Sequence, residues 1–289
     1  MIVIFSSGRL GNQLFQYAAA KTLCDDGEWL IGIGFEDLHA GFDGIEMKII
    51  NQETFKVYPL LYKILFKSAK KIINLMLRLK LISKISESKD KPEYYKQDGL
   101  FKKIKIIQDC YFQNEDFFQK TKIESLRIKS TFESYAKQIL NKNLPVEKVP
   151  IFVHVRRGDY CHWPNREYAA VLPAQYYRKA IQQIQEKNIN PFFIFVSDDP
   201  WYIKDAFSDL EDAYISKGKF FEDFALMTYC QSGILSASSF SWWGAYFAKQ
   251  QHLEKAIVFL APEHWFQHRL NVSRPNFVKA SFISYIHVS

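Results

Sequence analysis

Apolar and polar positions alternate along this chain in two rhythms. Short β-branched or aromatic runs at 1–5 (MIVIF), 151–155 (IFVHV), 192–196 (FFIFV), 234–236 (ILS) and 257–260 (IVFL) each end abruptly in a polar turn. Runs of that length, unbroken by charge, read as strands buried on both faces. Between them the spacing becomes helical. Residues 13–24 carry Leu14, Tyr17, Ala18 and Lys21 three or four apart, and 173–187 and 242–251 show the same period. Strands alternating with helices predict an α/β chain with parallel sheets. Ligands of such sheets bind beyond the carboxyl ends of the strands. The turns Ser6 to Asn12, Arg156 to Tyr160, Ser197 to Pro200, Ser238 to Ser241 and Ala261-Pro262 all fall at such ends. Their shared position argues for one site.

The stretch 60–86 has a different pattern. It holds no acidic residue, while Lys63, Lys67, Lys70, Lys71, Arg78, Lys80 and Lys84 interleave with leucine and isoleucine. Leu61, Leu65, Ile72, Met76 and Leu79 share one face of a basic amphipathic helix. Two readings stand: the apolar face packs on its own domain, or it rests on anionic lipid. The segment 140–150, with two prolines and mixed charge, reads as an interdomain linker. The expected division is an N-terminal domain over 1–148, with a basic helical insertion at about 60–105, and a C-terminal domain over 149–289 whose last helix packs back on the first.

At 289 residues the chain is long for one core and ordinary for two. A hydrophobic content of 48% is enough to offset chain entropy, so the chain is globular, not disordered. The net charge of +7 favours an anionic partner without choosing among nucleic acid, membrane and a phosphorylated small molecule. The four cysteines lack any C-x-x-C spacing, which points to reduced thiols in a cytoplasmic protein. No window offers the roughly eighteen apolar residues of a spanning helix, and the opening MIVIF is shorter than a signal-peptide core. A cytoplasmic protein is expected, with peripheral contact at the inner face of the membrane as the open alternative.

The candidate chemistry lies in the turns. Adjacent arginines at the exit of a buried strand, Arg156 and Arg157, are costly to desolvate unless they meet a carboxylate or phosphate. Side chains alternate along a strand, so His154 and Arg156 share one face while Arg157 takes the other. One arginine would then reach a ligand while its neighbour ties to Asp159 or another acid. The turn Ser197-Asp198-Asp199-Pro200 admits three uses: a helix cap, recognition of the donor edge of guanine, or Mg²⁺ binding. Ser236, Ser238, Ser239 and Ser241 precede a helix, where serines cap backbone N–H groups and the same groups attract anions. Two glycines, Gly8 and Gly11, let the backbone approach a ligand. No G-x-G-x-x-G, G-x-x-x-x-G-K-[ST] or G-x-S-x-G occurs, so a Rossmann dehydrogenase, a P-loop ATPase and a serine hydrolase are unsupported. His162, His252, His264 and His268 show no metal-ligand spacing.

Taken together these turns resemble the α-1,2-fucosyltransferases of glycosyltransferase family 11. The resemblance lies in Gly8-Arg9-Leu10-Gly11-Asn12-Gln13-Leu14-Phe15-Gln16-Tyr17-Ala18, Tyr111-Phe112-Gln113, His154-Val155-Arg156-Arg157-Gly158-Asp159-Tyr160, Ser197-Asp198-Asp199 and Ser238-Ser239-Phe240-Ser241-Trp242-Trp243-Gly244-Ala245, in family order. It implies a GT-B-like fold, two Rossmann-like domains facing across a cleft, with GDP-β-L-fucose held mainly by the C-terminal one. It further implies transfer with inversion to O2 of a terminal β-galactoside, with no metal and no other cofactor. His154 would touch guanosine, Arg156 the β-phosphate, Asp198 the base, and Ser239, Phe240 and Ser241 the diphosphate, with Arg157 completing the donor set. Gly11 and Asn12 would lie near the phosphate and the reacting oxygen, and Gln13 and Glu167 on the acceptor side. Asp159 and Glu167 compete as general base, since proton abstraction is decided by reach before pKa. The expected partners are GDP-fucose and a β-galactoside-terminated oligosaccharide or lipid-linked surface glycan, with nucleic acid as the rival from another class.

Overall fold

The opening apolar run forms β1 (Ile2–Phe5), buried at every position. After it come α1 (Leu10–Leu23), β2 (Leu30–Ile33), α2 (Glu36–Gly41), β3 (Phe42–Asp43), β4 (Lys48–Ile50), α3 (Pro59–Arg78), β5 (Ile82–Glu87), β6 (Tyr94–Gln97), β7 (Phe101–Ile107) and β8 (Arg127–Ile128). The second part contains α4 (Ser130–Asn143), β9 (Val149–Val155), α5 (Ala174–Gln185), β10 (Pro191–Ser197), α6 (Pro200–Ala206), β11 (Ala213–Ile215), α7 (Phe220–Thr228), β12 (Ser232–Ile234), α8 (Ser239–Gln251), β13 (Phe259–Pro262) and β14 (Ser284–Ile286). This computed structural model describes all residues except 57, 89, 90, 166, 168, 188, 189, 253–256, 266–277, 279 and 289.

The chain divides into two units, Met1–Ile128 and Lys129–Ser289. The stretch 140–150 therefore does not separate them: it ends α4 and begins β9. Helix α4 belongs to the second unit because its apolar side meets α7, where Phe132 and Phe221 approach to 5.2 Å between ring centroids. The residues 253–256 and 266–277, which follow α8, lie outside the described residues. The last described helix, α8, packs on α7 and β12 of its own unit.

The first unit carries a six-stranded sheet in the order β4-β2-β1-β7-β5-β6. Its strands are parallel except for β6, which returns antiparallel beside β5. The segment 60–105 is thus only partly helical. It supplies α3 and then strands of the sheet itself, with β7 hydrogen-bonded directly to β1. Interspersed lysines mask this pattern: in Ile82-Ser83-Lys84-Ile85 the two isoleucines are each 3% exposed. Helix α3 covers one face of the sheet, with Phe66, Ile73, Met76 and Leu77 against Val3, Phe5, Ile82 and Ile106.

The second unit has a fully parallel sheet, β11-β10-β9-β12-β13-β14. Numbered within the unit this is 3-2-1-4-5-6, the doubly wound nucleotide-binding order. Its core joins Ile151, Val153 and Val155 of β9 to Tyr176, Tyr177, Ile181 and Ile184 of α5, and to Phe193 and Phe195 of β10. The chain is α/β and GT-B-like in possessing two Rossmann-like units.

Candidate active site

In a doubly wound sheet the crevice opens where the strand order reverses. In the second unit that point lies between β9 and β12, and the turn beginning at Arg156 and the serine turn are the two loops leaving it. His154, near the end of β9, is 5% exposed. Its Nδ1 shares a 2.6 Å hydrogen bond with the Ser236 hydroxyl, which joins the two loops. Tyr160 adds a second tie, donating to the Ala237 carbonyl at 2.9 Å, and Tyr176 buttresses the turn from α5 through the Leu235 carbonyl at 2.7 Å. Burial, reinforced by the nearby Arg156 charge, holds the His154 imidazole down to about 3. The ring is therefore neutral at neutral pH and acts as a hydrogen-bonding group, not as a cation.

The arginines divide between the two acidic turns, and Arg157 takes the other acid of the expected alternatives. Arg156, not Arg157, meets Asp159: its Nη2 donates to Asp159 Oδ1 at 2.5 Å and its Nη1 lies 2.9 Å from Asp198 Oδ2. Arg157 turns to the other face, where Nε donates to Asp199 Oδ2 at 3.0 Å and the guanidinium stacks 3.6 Å above the Tyr202 ring. The Arg157 backbone N–H donates to Asp198 Oδ1 at 2.8 Å. Asp198 thus has both carboxylate oxygens engaged and clamps Arg156. Asp199 caps α6 by accepting the Tyr202 N–H at 3.1 Å, and this bond, followed by Arg157, lowers its pKa. Gly158 permits the closeness, since a β-carbon there would lie 2.6 Å from Asp198 Oδ2.

The serines each have a structural task. Ser238 caps α8 by accepting the Phe240 N–H at 3.3 Å, and Ser241 donates to the Ser236 and Ser238 carbonyls at 3.3 and 3.1 Å. Ser236 and Ser241 are almost fully buried, whereas Ser239 and Phe240 are partly exposed at the helix start. The Phe240 ring packs 5.5 Å from His154 and stacks 4.8 Å from Phe220 at the start of α7. One turn into that helix is Asp223, a residue the turn pattern did not single out. It accepts the Ser216 hydroxyl at 2.5 Å beyond the end of β11. Burial outweighs that bond and pushes its carboxyl up to about 7. Burial makes the ionised form costly, and paired N–H donors facing the carboxylate would stabilise that form. Its signal in the sequence was faint: Ser216 to Asp223 follows a strand too short to be recognised.

In the first unit the equivalent reversal brings the loop after β1 beside the loop after β7. Ser7 and Tyr111 hydroxyls lie 3.4 Å apart, and Asn12 Oδ1 accepts from Gln113 Nε2 at 2.6 Å. Gly8 has a φ of +78°, and a β-carbon there would strike the Asn12 amide at 2.2 Å. Gly11 and Gln13 are buried. Gln13 is consumed structurally: Oε1 accepts the Leu38 N–H at 2.9 Å and Nε2 donates to the Gly8 carbonyl at 3.3 Å. Gln16 clamps both loops, from the Ser7 N–H at 3.1 Å to the Cys110 carbonyl at 2.7 Å.

These motifs converge pairwise within each unit, as a single family would require. The family model described as Glycosyl transferase family 11 matches residues 1–280. The chain belongs to that family. An alpha-1,2-colitosyltransferase of Escherichia coli is 29% identical over 92% of this chain and 93% of its own length. The O-antigen biosynthesis glycosyltransferase WbnK of Escherichia coli is 34% identical over 39% of this chain and 38% of that protein. Galactoside alpha-(1,2)-fucosyltransferase 1 of Rattus norvegicus is 31% identical over 45% of this chain and 35% of that protein. The chain therefore aligns with little more than a third of the last two.

In this family 11 chain Glu167 is exposed, and its N–H donates to Asn165 Oδ1 at 3.1 Å. His264, expected to be an ordinary side chain, stands with Glu263 and His287, their ligand atoms all within 4.8 Å. Glu263 and His287 already contact each other at 3.1 Å, an ordinary pairing that needs no ion.

Proposed function

We propose that this family 11 glycosyltransferase moves L-fucose from GDP-β-L-fucose to O2 of a terminal β-galactoside, with inversion and without a metal. The observation that carries the reading is Arg156, held by two carboxylates at the reversal point of a doubly wound sheet, between strands whose loops carry the arginines and the serine turn. As the fucosyl bond breaks, negative charge grows on the departing diphosphate. A guanidinium fixed in place before the reaction would stabilise that charge without reorganising. His154, neutral and linked to Ser236, presents a hydrogen-bonding edge to the nucleoside. With Asp198 engaged by Arg156, the carboxyl that reads the guanine donors is assigned to Asp223, on the helix whose Phe220 and Phe224 pack on Phe240. Asp159 orients Arg156; Glu167 is the carboxylate assigned to the acceptor side. Asn12 and Gly11 serve the phosphate and reacting oxygen.

The setting proposed is cytoplasmic synthesis of a surface glycan, in keeping with the O-antigen relative. A second reading keeps the chemistry and changes the sugar. The relative that aligns over nearly the whole chain is named for colitose, which is L-fucose without its 3-hydroxyl. Incubation with GDP-fucose or its 3-deoxy counterpart and a panel of β-galactosides, with the new linkage determined by NMR, separates the two. GDP-fucose giving an α-1,2 product with EDTA present supports the first reading. Turnover only with the 3-deoxy donor selects the second, and no transfer from either donor overturns both. Thermal stabilisation by GDP and not by ADP, UDP or an oligonucleotide is expected as well.

A further inference from the structure

Helix α3 carries more apolar surface than its own domain uses. At about 100° per residue, Phe66, Ile73 and Leu77 form one arc, which with Met76 packs on the sheet. The face anticipated from Leu61, Leu65, Ile72, Met76 and Leu79 is therefore split: Met76 is on the core, Leu65, Ile72 and Leu79 belong to a second arc, and the Leu61 side chain lies outside the described residues. Ile64, Leu75, Leu79, Ile72 and Leu65 follow one another around about a third of the circumference, and they are 46 to 60% exposed. Lys63, Lys67, Arg78 and Lys71, all exposed, fill the arc on the far side. The patch continues past the helix. Leu100 and Phe101 donate their N–H groups to the Lys80 and Leu81 carbonyls at 2.8 and 2.7 Å. They add two more exposed apolar side chains, 71% and 53% accessible, beside Lys102 and Lys103.

We infer that this face docks on an anionic lipid bilayer, with the apolar arc entering the headgroup boundary and the lysines held by acidic headgroups. Charge complementarity selects this occupant. No acidic residue occurs between positions 60 and 86, and Lys70 alone of these lysines has an acidic neighbour described, Asp109 at 3.8 Å. A second copy of the chain would set one lysine arc against another. A spanning role is not open to the helix, since no helix among the described residues is long and apolar enough to cross a membrane. The inference stands apart from the donor and acceptor assignments.

The test is co-sedimentation of the full chain with vesicles of phosphatidylcholine, with or without about one-third phosphatidylglycerol. Binding is expected to the anionic vesicles alone. Combined Lys63, Lys67, Lys71 and Lys80→Gln substitutions should weaken it about 100-fold or more, at about fivefold per lysine. Combined Ile64, Ile72 and Leu75→Ser substitutions should abolish it. Both variants should melt like wild type and keep turnover on a soluble acceptor, because every altered side chain is exposed. Leu75→Trp should shift its emission to the blue on anionic vesicles. Absence of wild-type binding, equal binding by either variant, or an unshifted Leu75→Trp emission overturns the proposal. So does a concentration-dependent dimer in sedimentation equilibrium that the serine variant dissolves.

Discussion

His154 and Asp223 should impose opposite pH dependences on stability, and substituting each should expose the other. The imidazole stands at about 3 in the fold against 6.5 when unperturbed. Its contribution is complete above 6.5 and is lost as pH falls towards 3, because the unfolded chain takes up the proton first. Between pH of about 7 and about 5 this amounts to about 2 kcal/mol of lost stability. The Asp223 carboxyl runs the other way, at about 7 against 3.8. As pH rises from 3.8 to 7 the unfolded chain ionises ahead of the folded one, so stability falls. Over the same interval that is again about 2 kcal/mol, now gained on acidification. The two nearly cancel in the wild type. Urea unfolding of the second unit can be followed by the fluorescence of Trp242 and Trp243, both fully buried in α8. Comparing each variant with wild type at both pH values removes its constant packing cost. His154→Gln should gain about 2 kcal/mol relative to wild type on going from pH about 7 to about 5, and Asp223→Asn should lose about as much. A His154→Gln difference that is equal at the two pH values would refute the neutral, buried imidazole.

Arg156→Ala should lower kcat at least about a hundredfold, the cost of removing a preorganised charge partner, with an unchanged thermal midpoint; near-native turnover in the folded variant would remove Arg156 from the mechanism. Gly233→Ala places a β-carbon 2.2 Å from the Phe152 ring in the middle of the sheet; overpacking there should destabilise by about 1 to 3 kcal/mol, read as a lower urea midpoint. Gln16→Leu leaves the Ser7 N–H and the buried Cys110 carbonyl without the partner that joins them. It should cost about 1 to 3 kcal/mol and raise amide exchange in both loops, and unchanged exchange would contradict the clamp.

Much of the architecture was legible because buried parallel strands are continuous apolar runs. MIVIF, IFVHV and FFIFV each became a strand inside a sheet, and the turns at Ser6, Arg156, Asp198 and Ser238 lie at carboxyl ends, whereas Ala261-Pro262, expected to be a turn, stays within β13 and pairs with Tyr285 and Ile286. Strands β5 and β7 were obscured because their outward lysines break the apolar run. The start of α1 was hidden for another reason. Its first N–H is received by Asp37 at 3.0 Å, a cap supplied by a residue 27 positions away.

The chain's own order of residues determined which groups stand at the strand ends: two arginines, three aspartates and a set of serines. Only the tertiary structure decided who holds whom. Strand β10 pairs with β9 so that Ser197 lies opposite Val155. That register sets Asp198 and Asp199 beside Arg156 and Arg157, and the alternation of side chains then sends the two arginines to different carboxylates. Local spacing alone favoured neighbours in sequence. Pairing between strands 41 or 42 residues apart brought in partners that no local pattern encodes. Asp223 follows the same rule, because its raised pKa arises first from burial, against the Ser216 hydrogen bond, with only a smaller contribution from its sequence neighbour Glu222.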